Sequence, residues 1–229
     1  MRFNKKKVLA LSLALCMLAI MSFSTLAWFN ASSSVTNKFY VINSNEAPED
    51  ADALFSIDVW EHDDQDHDGI VDDNEKDQDG REFNNILPGV PFVKAPFVEN
   101  TGKYYSQWVR LTITFPKKAV WDVLKGNQTT LAALLTGMDS NLWDLPKEEA
   151  RDDTYVLVYY LNRSLAPGEK VGTFTKVTFP SELTQHDLVR IQNATNQLPV
   201  EINVMAEAVQ LELGTDAEAA FAAIEGTTP

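Results

Sequence analysis

The 229-residue chain has a single cysteine, Cys16, which lies within an apolar run near the N-terminus. If cleavage after Ala27 removes that run, the remaining chain has no cysteine. Neither a disulfide framework nor a cysteine nucleophile is then available to it. Its stability must therefore come from a packed core, and about 200 residues are enough for one well-buried domain.

Basic residues are also scarce, with 19 Lys and Arg against 33 Asp and Glu and a formal net charge of −14. Residues 1–27 hold four of the basic residues and none of the acids, so their removal would change the charge from −14 to −18. Such a surface repels nucleic acid and anionic membranes. Cations and cationic wall components are the partners that this charge favours, and acidity for solubility alone is the alternative.

Motifs of common enzymes are missing from the sequence. The three histidines, His62, His67 and His186, do not form His-Glu-x-x-His, and no two of them have the i, i+4 spacing of a zincin site. Gly-x-Ser-x-Gly, a P-loop and a dinucleotide fingerprint do not occur. We therefore expect a protein that is not an enzyme.

The N-terminus has the three parts of a secretory signal peptide. Arg2 and three lysines precede an apolar run from Val8 to about Met21, and small residues follow up to Ala27. This predicts a signal peptide over residues 1–27 and a single mature domain over 28–229. The run is short for a membrane span, so we expect secretion without a stable span after cleavage. A retained N-terminal anchor and a lipoprotein attached through Cys16 are the alternatives.

Alternating hydrophobicity predicts β-structure in the mature chain, divided by Pro-Gly and Asn-x-Gly turns at 87–89, 100–102 and 166–168. The expected strands cover 38–42, 54–60, 108–115, 155–161, 172–179 and 201–213. Helix is the minority, with short helices expected over 130–136 and over 216–224, where Asp216 is placed to cap the helix. The pattern favours an all-β, antiparallel β-sandwich with a few short helices.

The most specific motif is an acidic segment that begins at Asp64 and ends at Glu75. Acids occupy positions 1, 3, 5, 9 and 12, Gly69 is at position 6 and an apolar residue is at position 8. This is the pattern of the twelve-residue calcium loop, in which alternate oxygen ligands point inward around the ion. The motif predicts a structural Ca²⁺ ion with these ligands: Asp64, Asp66, Asp68, the Ile70 carbonyl, Asp72 through a water, and Glu75.

The surroundings of this motif differ from those of a helical calcium-binding hand. Residues 55–60 before it have a strand pattern, and Asp77 and Asp79 after it begin a second, incomplete loop. The segment resembles the isolated Asp-x-Asp-x-Asp-Gly loops of bacterial surface proteins and thrombospondin-type repeats. Calcium would then fix residues 61–82 to the sheet, whereas without a cation the clustered carboxylates would repel one another. The alternative is a solvated acidic linker.

Several blocks together resemble the TasA/camelysin family of exported proteins. The region after the expected cleavage site reads Ala27-Trp28-Phe29-Asn30, then Asn37-Lys-Phe39. Further blocks follow in the family's order: Pro88-Gly89, Lys94-Ala-Pro96-Phe-Val98-Glu-Asn100-Thr-Gly102, Trp108-Val109-Arg110, Pro167-Gly168-Glu169, and Ala206-Glu207-Ala208-Val209-Gln210 before Asp216. Together the blocks extend over most of the mature chain.

The resemblance implies a jelly-roll-like β-sandwich, export through a signal peptidase of the SipW type, and a place in extracellular fibres or matrix. The calcium loop within residues 61–82 then looks like an insertion. Camelysin itself is classed as a metallopeptidase, but this sequence has no matching metal ligands, so that activity is not carried over. A camelysin-like metallopeptidase remains an alternative.

The hypothesis that these features favour is a secreted matrix, fibre or cell-surface structural protein. Residues 28–42, freed by cleavage, would add as a strand to the open sheet edge of another copy and bury Phe39 and Val41. Other matrix or cell-wall components are the alternative partners. A second hypothesis is a calcium-dependent, monomeric adhesion or ligand-binding module with a carbohydrate- or protein-binding face of exposed aromatic residues: Trp60, Tyr104, Tyr105 and Trp108. The equal alternative is that these residues belong to the core.

Overall fold

A computed structural model of the chain describes residues 31–35, 55–62, 76–77, 87–195 and 200–226. The expected signal peptide over 1–27, the expected strand over 38–42 and the predicted calcium ligands lie outside these residues. The described part is mostly β-structure, arranged in three antiparallel sheets with three short α-helices.

The strands are short, apart from three that form the centre of the largest sheet. In chain order they are β1 (Ala31–Val35), β2 (Asp58–His62), β3 (Lys76–Asp77), β4 (Phe92–Val93), β5 (Pro96–Glu99), β6 (Gln107–Pro116), β7 (Leu135–Thr136), β8 (Lys147–Arg151), β9 (Thr154–Tyr160), β10 (Lys170–Gly172), β11 (Lys176–Val177) and β12 (Asn203–Gln210). The sheet orders are β1-β12-β6-β9-β8, β10-β5-β2-β3 and β4-β11-β7.

Strand β6 shows how the sequence specifies the largest sheet. Its side chains alternate between buried and half-buried, and the buried set of Val109, Leu111, Ile113 and Phe115 is completely inaccessible to solvent. β-branched and aromatic residues with this period fit a strand with one face on the core. Its neighbour β9 has consecutive buried residues, so both of its faces are covered. The strands predicted over 108–115 and 155–161 are therefore confirmed.

The three sheets contribute to one hydrophobic core. The main cluster of buried residues contains Leu111 of β6 together with Val59 of β2, Val98 of β5, Val171 of β10 and Val177 of β11. Because each sheet has an apolar face in the same cluster, removal of any one sheet would expose buried apolar side chains of the other two.

The described residues also form three α-helices: α1 (Lys118–Leu124), α2 (Gln185–Thr195) and α3 (Ala217–Glu225). The predicted cap of α3 is confirmed, since the Asp216 carboxylate accepts a hydrogen bond from the Ala219 N–H at 2.8 Å. Phe221 of α3 packs in a second apolar cluster with Trp108 and Tyr160, on the face of the largest sheet that is opposite to the main core. The helix predicted over 216–224 is therefore present.

Other expectations about the elements need correction. The segment 130–136 is a 3₁₀ helix over Leu131–Leu134 followed by β7, because Leu135 pairs with Val177 of β11 instead of continuing a helix. The strand expected over 172–179 is divided between β10 and β11, which belong to different sheets. The strand expected over 201–213 ends at Gln210 and continues as a 3₁₀ helix. Helices α1 and α2 were not predicted.

None of the helices in the described part of the chain has the length and apolar character needed to cross a membrane.

Replacing Ile113 by Ala tests the register of the central strand. Ile113 is fully buried, so Ile113→Ala should lower the free energy of unfolding by about 2–5 kcal/mol, measured by urea denaturation. Thr112 lies on the opposite, half-buried face, and Thr112→Ala should change it by less than about 1 kcal/mol. Equal losses for the two variants would contradict the assigned faces.

Candidate functional site

The root of the acidic segment is a pair of short strands. β2 and β3 are antiparallel, with Glu61 opposite Asp77 and His62 opposite Lys76. Residues 63–75 are therefore the connection of a β-hairpin, and all of the predicted calcium ligands from Asp64 to Glu75 lie in that connection, outside the described residues. The pairing places His62 and Lys76, the described residues on either side of the motif, opposite each other.

A buried ion pair lies next to this hairpin root. The Lys94 ammonium donates to the Glu61 carboxylate, and the two residues are 7% and 0% exposed. Glu61 follows Phe55, Ile57 and Val59 in the same alternation of buried positions, so its charged side chain points to the core side of the sheet. The second carboxylate oxygen, Oε2, has no hydrogen-bond partner among the described residues. Removing one charge of such a pair leaves the other charge buried without compensation, which strongly destabilises the folded protein.

No group of three or more His, Cys, Asp or Glu side chains that could hold a metal ion occurs within the described residues. Several described carboxylates instead accept hydrogen bonds from neighbouring basic or hydroxyl groups. Asp122 of α1, for example, accepts from the Tyr155 hydroxyl at 2.6 Å and from Lys118 at 3.1 Å. The hydrogen bond from Tyr155, followed by those from the lysines, holds the pKa of Asp122 below its ordinary value.

A cleft of about 430 Å³ opens at the other end of the four-stranded sheet. It lies between two turns that the sequence marked, Asn100-Thr-Gly102 after β5 and Pro167-Gly168 before β10. Glu99 and Lys103 complete its lining. The cleft is thus formed by polar side chains, glycines and one proline rather than by an apolar pocket.

Asn100 fixes the first turn of the cleft. Its side chain is fully buried; the amide donates to the carbonyls of Leu165 at 2.9 Å and Tyr105 at 3.0 Å, and its oxygen accepts from the Gly102 N–H at 3.0 Å. The Gln107 amide donates to the same oxygen at 2.8 Å. Because every polar atom of this side chain is satisfied inside the protein, Asn100 has a structural role.

The second turn is bonded to the first through its backbone. The Gly168 N–H donates to the Asn100 carbonyl at 2.8 Å, and the Asn100 N–H donates to the Glu169 carbonyl at 3.0 Å. The backbone of Gly168 has a φ of +72°, which favours glycine, and a Cβ placed there would meet open space. The carboxylate of Glu169 accepts from Arg163 and from the Ala166 N–H, and these two bonds, the first being the larger cause, lower its pKa.

The structure separates the four aromatic residues that were considered for a binding face. Trp60 is 2% exposed; its ring stacks on Phe97 with 4.9 Å between centroids. Trp108 lies under α3 and its indole N–H donates to the backbone at Leu211 and Gly214, each at 3.3 Å. Tyr104 and Tyr105 are 66% and 45% exposed. Of the two alternatives, exposure therefore holds for the two tyrosines, whereas Trp60 is in the core and Trp108 is half-buried under α3.

Sequence reasoning missed the buried polar residues around both ends of the four-stranded sheet. Glu61 and Gln107 each stand at a position where the alternation of hydrophobic residues predicts an apolar side chain. That interruption was the available signal, because a charged or amide group inside a core requires a specific partner. The partners themselves, Lys94 and Asn100, could not be assigned without the strand pairing.

Comparison with known proteins gave no match to a family model, to a curated protein or to a solved structure.

Replacing Lys94 by Met tests the buried ion pair. The change leaves the Glu61 carboxylate buried without its cation, so Lys94→Met should reduce the free energy of unfolding by about 3–5 kcal/mol in urea denaturation. In the double variant Glu61→Leu/Lys94→Met both charges are gone, and stability should return to within about 1 kcal/mol of the parent. Lys103 is exposed, and Lys103→Met is the matched control. A loss in the double variant as large as in Lys94→Met would contradict this account.

Proposed function

We propose that this chain is a secreted, non-enzymatic structural subunit of an extracellular matrix, fibre or cell surface. A mostly antiparallel β-fold with one shared core supports the proposal, as does the absence of catalytic motifs in the sequence. The finer arrangement that we propose is a jelly-roll-like β-sandwich, in which the five-stranded sheet faces the two smaller sheets across the main hydrophobic cluster.

The observation that carries this proposal is the position of β1. Its five residues pair antiparallel with β12, from Ala31 opposite Ala208 to Val35 opposite Val204. β1 is thus an edge strand of the largest sheet, and it begins four residues after the expected cleavage site at Ala27. A segment near a new N-terminus that adds as an edge strand is suited to pair with a neighbouring molecule.

The proposed assembly step is an exchange of this strand. Residues 28–42 of one copy would pair with β12 of the next copy in the register that β1 has within one molecule. Main-chain hydrogen bonds along β12 would supply the affinity, and repetition of the step would build a linear polymer because the two contact surfaces differ. Removal of residues 1–27 by a signal peptidase of the SipW type would free the segment.

Proline substitutions in β1 test this step. Successive residues of a strand direct their N–H groups to opposite sides, so Ser32→Pro/Ser33→Pro removes at least one N–H on the β12 side. We expect the protein starting at residue 28 to form filaments, seen in electron micrographs and by light scattering. The proline variant should remain monomeric by light scattering and folded by circular dichroism. Ser32→Ala/Ser33→Ala, which keeps both N–H groups, should form filaments like the parent. A parent that stays monomeric, or a proline variant that polymerises equally, would refute the exchange.

We further propose that the hairpin connection between β2 and β3 binds one structural Ca²⁺ ion. The antiparallel pairing of His62 with Lys76 supports this, because it brings together the residues that flank the Asp64–Glu75 motif, and a calcium loop needs its positions 1 and 12 close to each other. The ion would neutralise clustered carboxylates that otherwise repel one another. Its role would be to order the connection, not to catalyse a reaction.

A calcium titration with a matched charge control tests the metal site. Calcium should raise the melting temperature of the parent, with a gain of about 2.7 kcal/mol in unfolding free energy at one hundred times the Kd. Asp64→Asn and Glu75→Gln should each abolish the effect. Asp152 is an exposed acid in a turn at φ 46°, a conformation that Asn tolerates, and Asp152→Asn should respond like the parent. A response that persists in Glu75→Gln would place the ion elsewhere.

A monomeric ligand-binding module is the second candidate function. The exposure of Tyr104 and Tyr105 beside the cleft favours it. A mature chain that fails to polymerise but still binds a ligand would support this function in place of the structural one.

A further inference from the structure

We infer that the edge of β12 accepts only a strand that has small residues at the positions opposite Ala206 and Ala208. In the second copy that we propose as the partner, these positions are Ser33 and Ala31. The inference rests on the proposed strand exchange and specifies its selectivity. The size of the residues on one face of the incoming strand, and not their charge, decides which strand is admitted.

The buried side chains of the largest sheet become smaller toward this edge. In one row across the sheet, Tyr159 of β9 is opposite Leu111 of β6, and Leu111 is opposite Ala206 of β12. These three residues are 4%, 0% and 0% exposed. Ser33 is the next position in the row, and residues opposite each other on paired strands share a face of the sheet. The row therefore ends in two small residues on the core face.

The four-stranded sheet comes close to the largest sheet at the same edge. Cα atoms of β2 lie within 8 Å of Cα atoms in both β12 and β1, whereas packed sheets are ordinarily about 10 Å apart. Val59 of β2 belongs to the same buried cluster as Ala206 and Ala208, and none of the three is more than 1% exposed. Because protein interiors are close-packed, a larger side chain opposite either alanine would displace β2 or prevent the strand from pairing.

The other face of the edge does not have this restriction. Ser34 is opposite Met205, which is half-buried and belongs to neither of the two apolar clusters. A larger residue at position 34 is therefore on the side of the sheet away from the main core. Size should matter at positions 31 and 33 of the incoming strand and matter little at position 34.

The same restriction limits the register of the exchange. A shift of the incoming strand by two residues leaves its two faces unchanged, so alternation alone does not prevent such a shift. In one direction the shift would place Phe29 opposite Ala208, where an aromatic ring would have to fit beside β2. The two alanines therefore reject an alignment that alternation permits.

The same substitution on each face of β1 tests the inference. In the protein from residue 28, Ser33→Tyr should slow filament growth by about tenfold or more, measured by light scattering, because a bulky residue opposite Ala206 opposes pairing. Ser34→Tyr is the matched control with the same gain in size and strand propensity, and its growth rate should stay within about threefold of the parent. Ser33→Val should lie between the parent and Ser33→Tyr.

Melting temperatures separate this inference from the proposed exchange. β1 occupies the same edge within one molecule, so Ser33→Tyr should melt about 3 °C or more below Ser34→Tyr in dilute, monomeric samples. If Ser33→Tyr fails to fold by circular dichroism, Ser33→Val and Ser34→Val provide the same comparison. A parent that does not polymerise would refute the exchange, and the melting temperatures would still decide the size restriction. Equal melting of the two variants, or equal filament growth where the parent polymerises, would overturn the inference.

Discussion

The register of β6 is the constraint on which the rest of the structure depends. This strand pairs with β12 on one side and with β9 on the other, over eight and seven residues. A shift of one residue would turn Leu111 and Ile113 to the outer face and bring Arg110 into the core. With this register, the free side of β12 pairs with β1. On the outer face, Arg110 forms ion pairs with Glu207 and Glu225, and its guanidinium lies over the ring of Phe221, 4.3 Å from the centroid.

Two buried polar pairs then fix the four-stranded sheet at its opposite ends. Glu61 and Lys94 lie where β2 leads into the acidic segment, and Asn100 and Gln107 lie where β5 ends and β6 begins. Buried polar groups contribute little net stability, but they are costly when mispaired, so they restrict how the chain can be arranged. The segment proposed to bind calcium follows the first of these pairs along the chain.

The sequence predicted some elements well because their information is local. The alternation in β6, the continuous apolar run in β9 and the Asp216 cap of α3 each depend on a few neighbouring residues. The segment from 130 to 136 was misjudged because Leu135 is held by Val177, a partner that is distant in sequence. Helix α2 was missed since its residues are mostly polar, and Ile191 is the one buried member of the main core among its described side chains. The two turn motifs were recognised, but their joining into one cleft was not.

By itself the sequence determined the β-rich character, the acidic surface, the turn positions and the spacing of acids in the Asp64–Glu75 motif, because each depends on composition or short-range periodicity. Tertiary structure alone decided that Glu61 pairs with Lys94, that Asn100 joins two turns, and that Tyr104 is exposed while Trp60 is covered. These outcomes follow from pairing between strands that are far apart in the chain. A pattern within one segment specifies which face of a strand is apolar, but it does not specify which segment will cover that face.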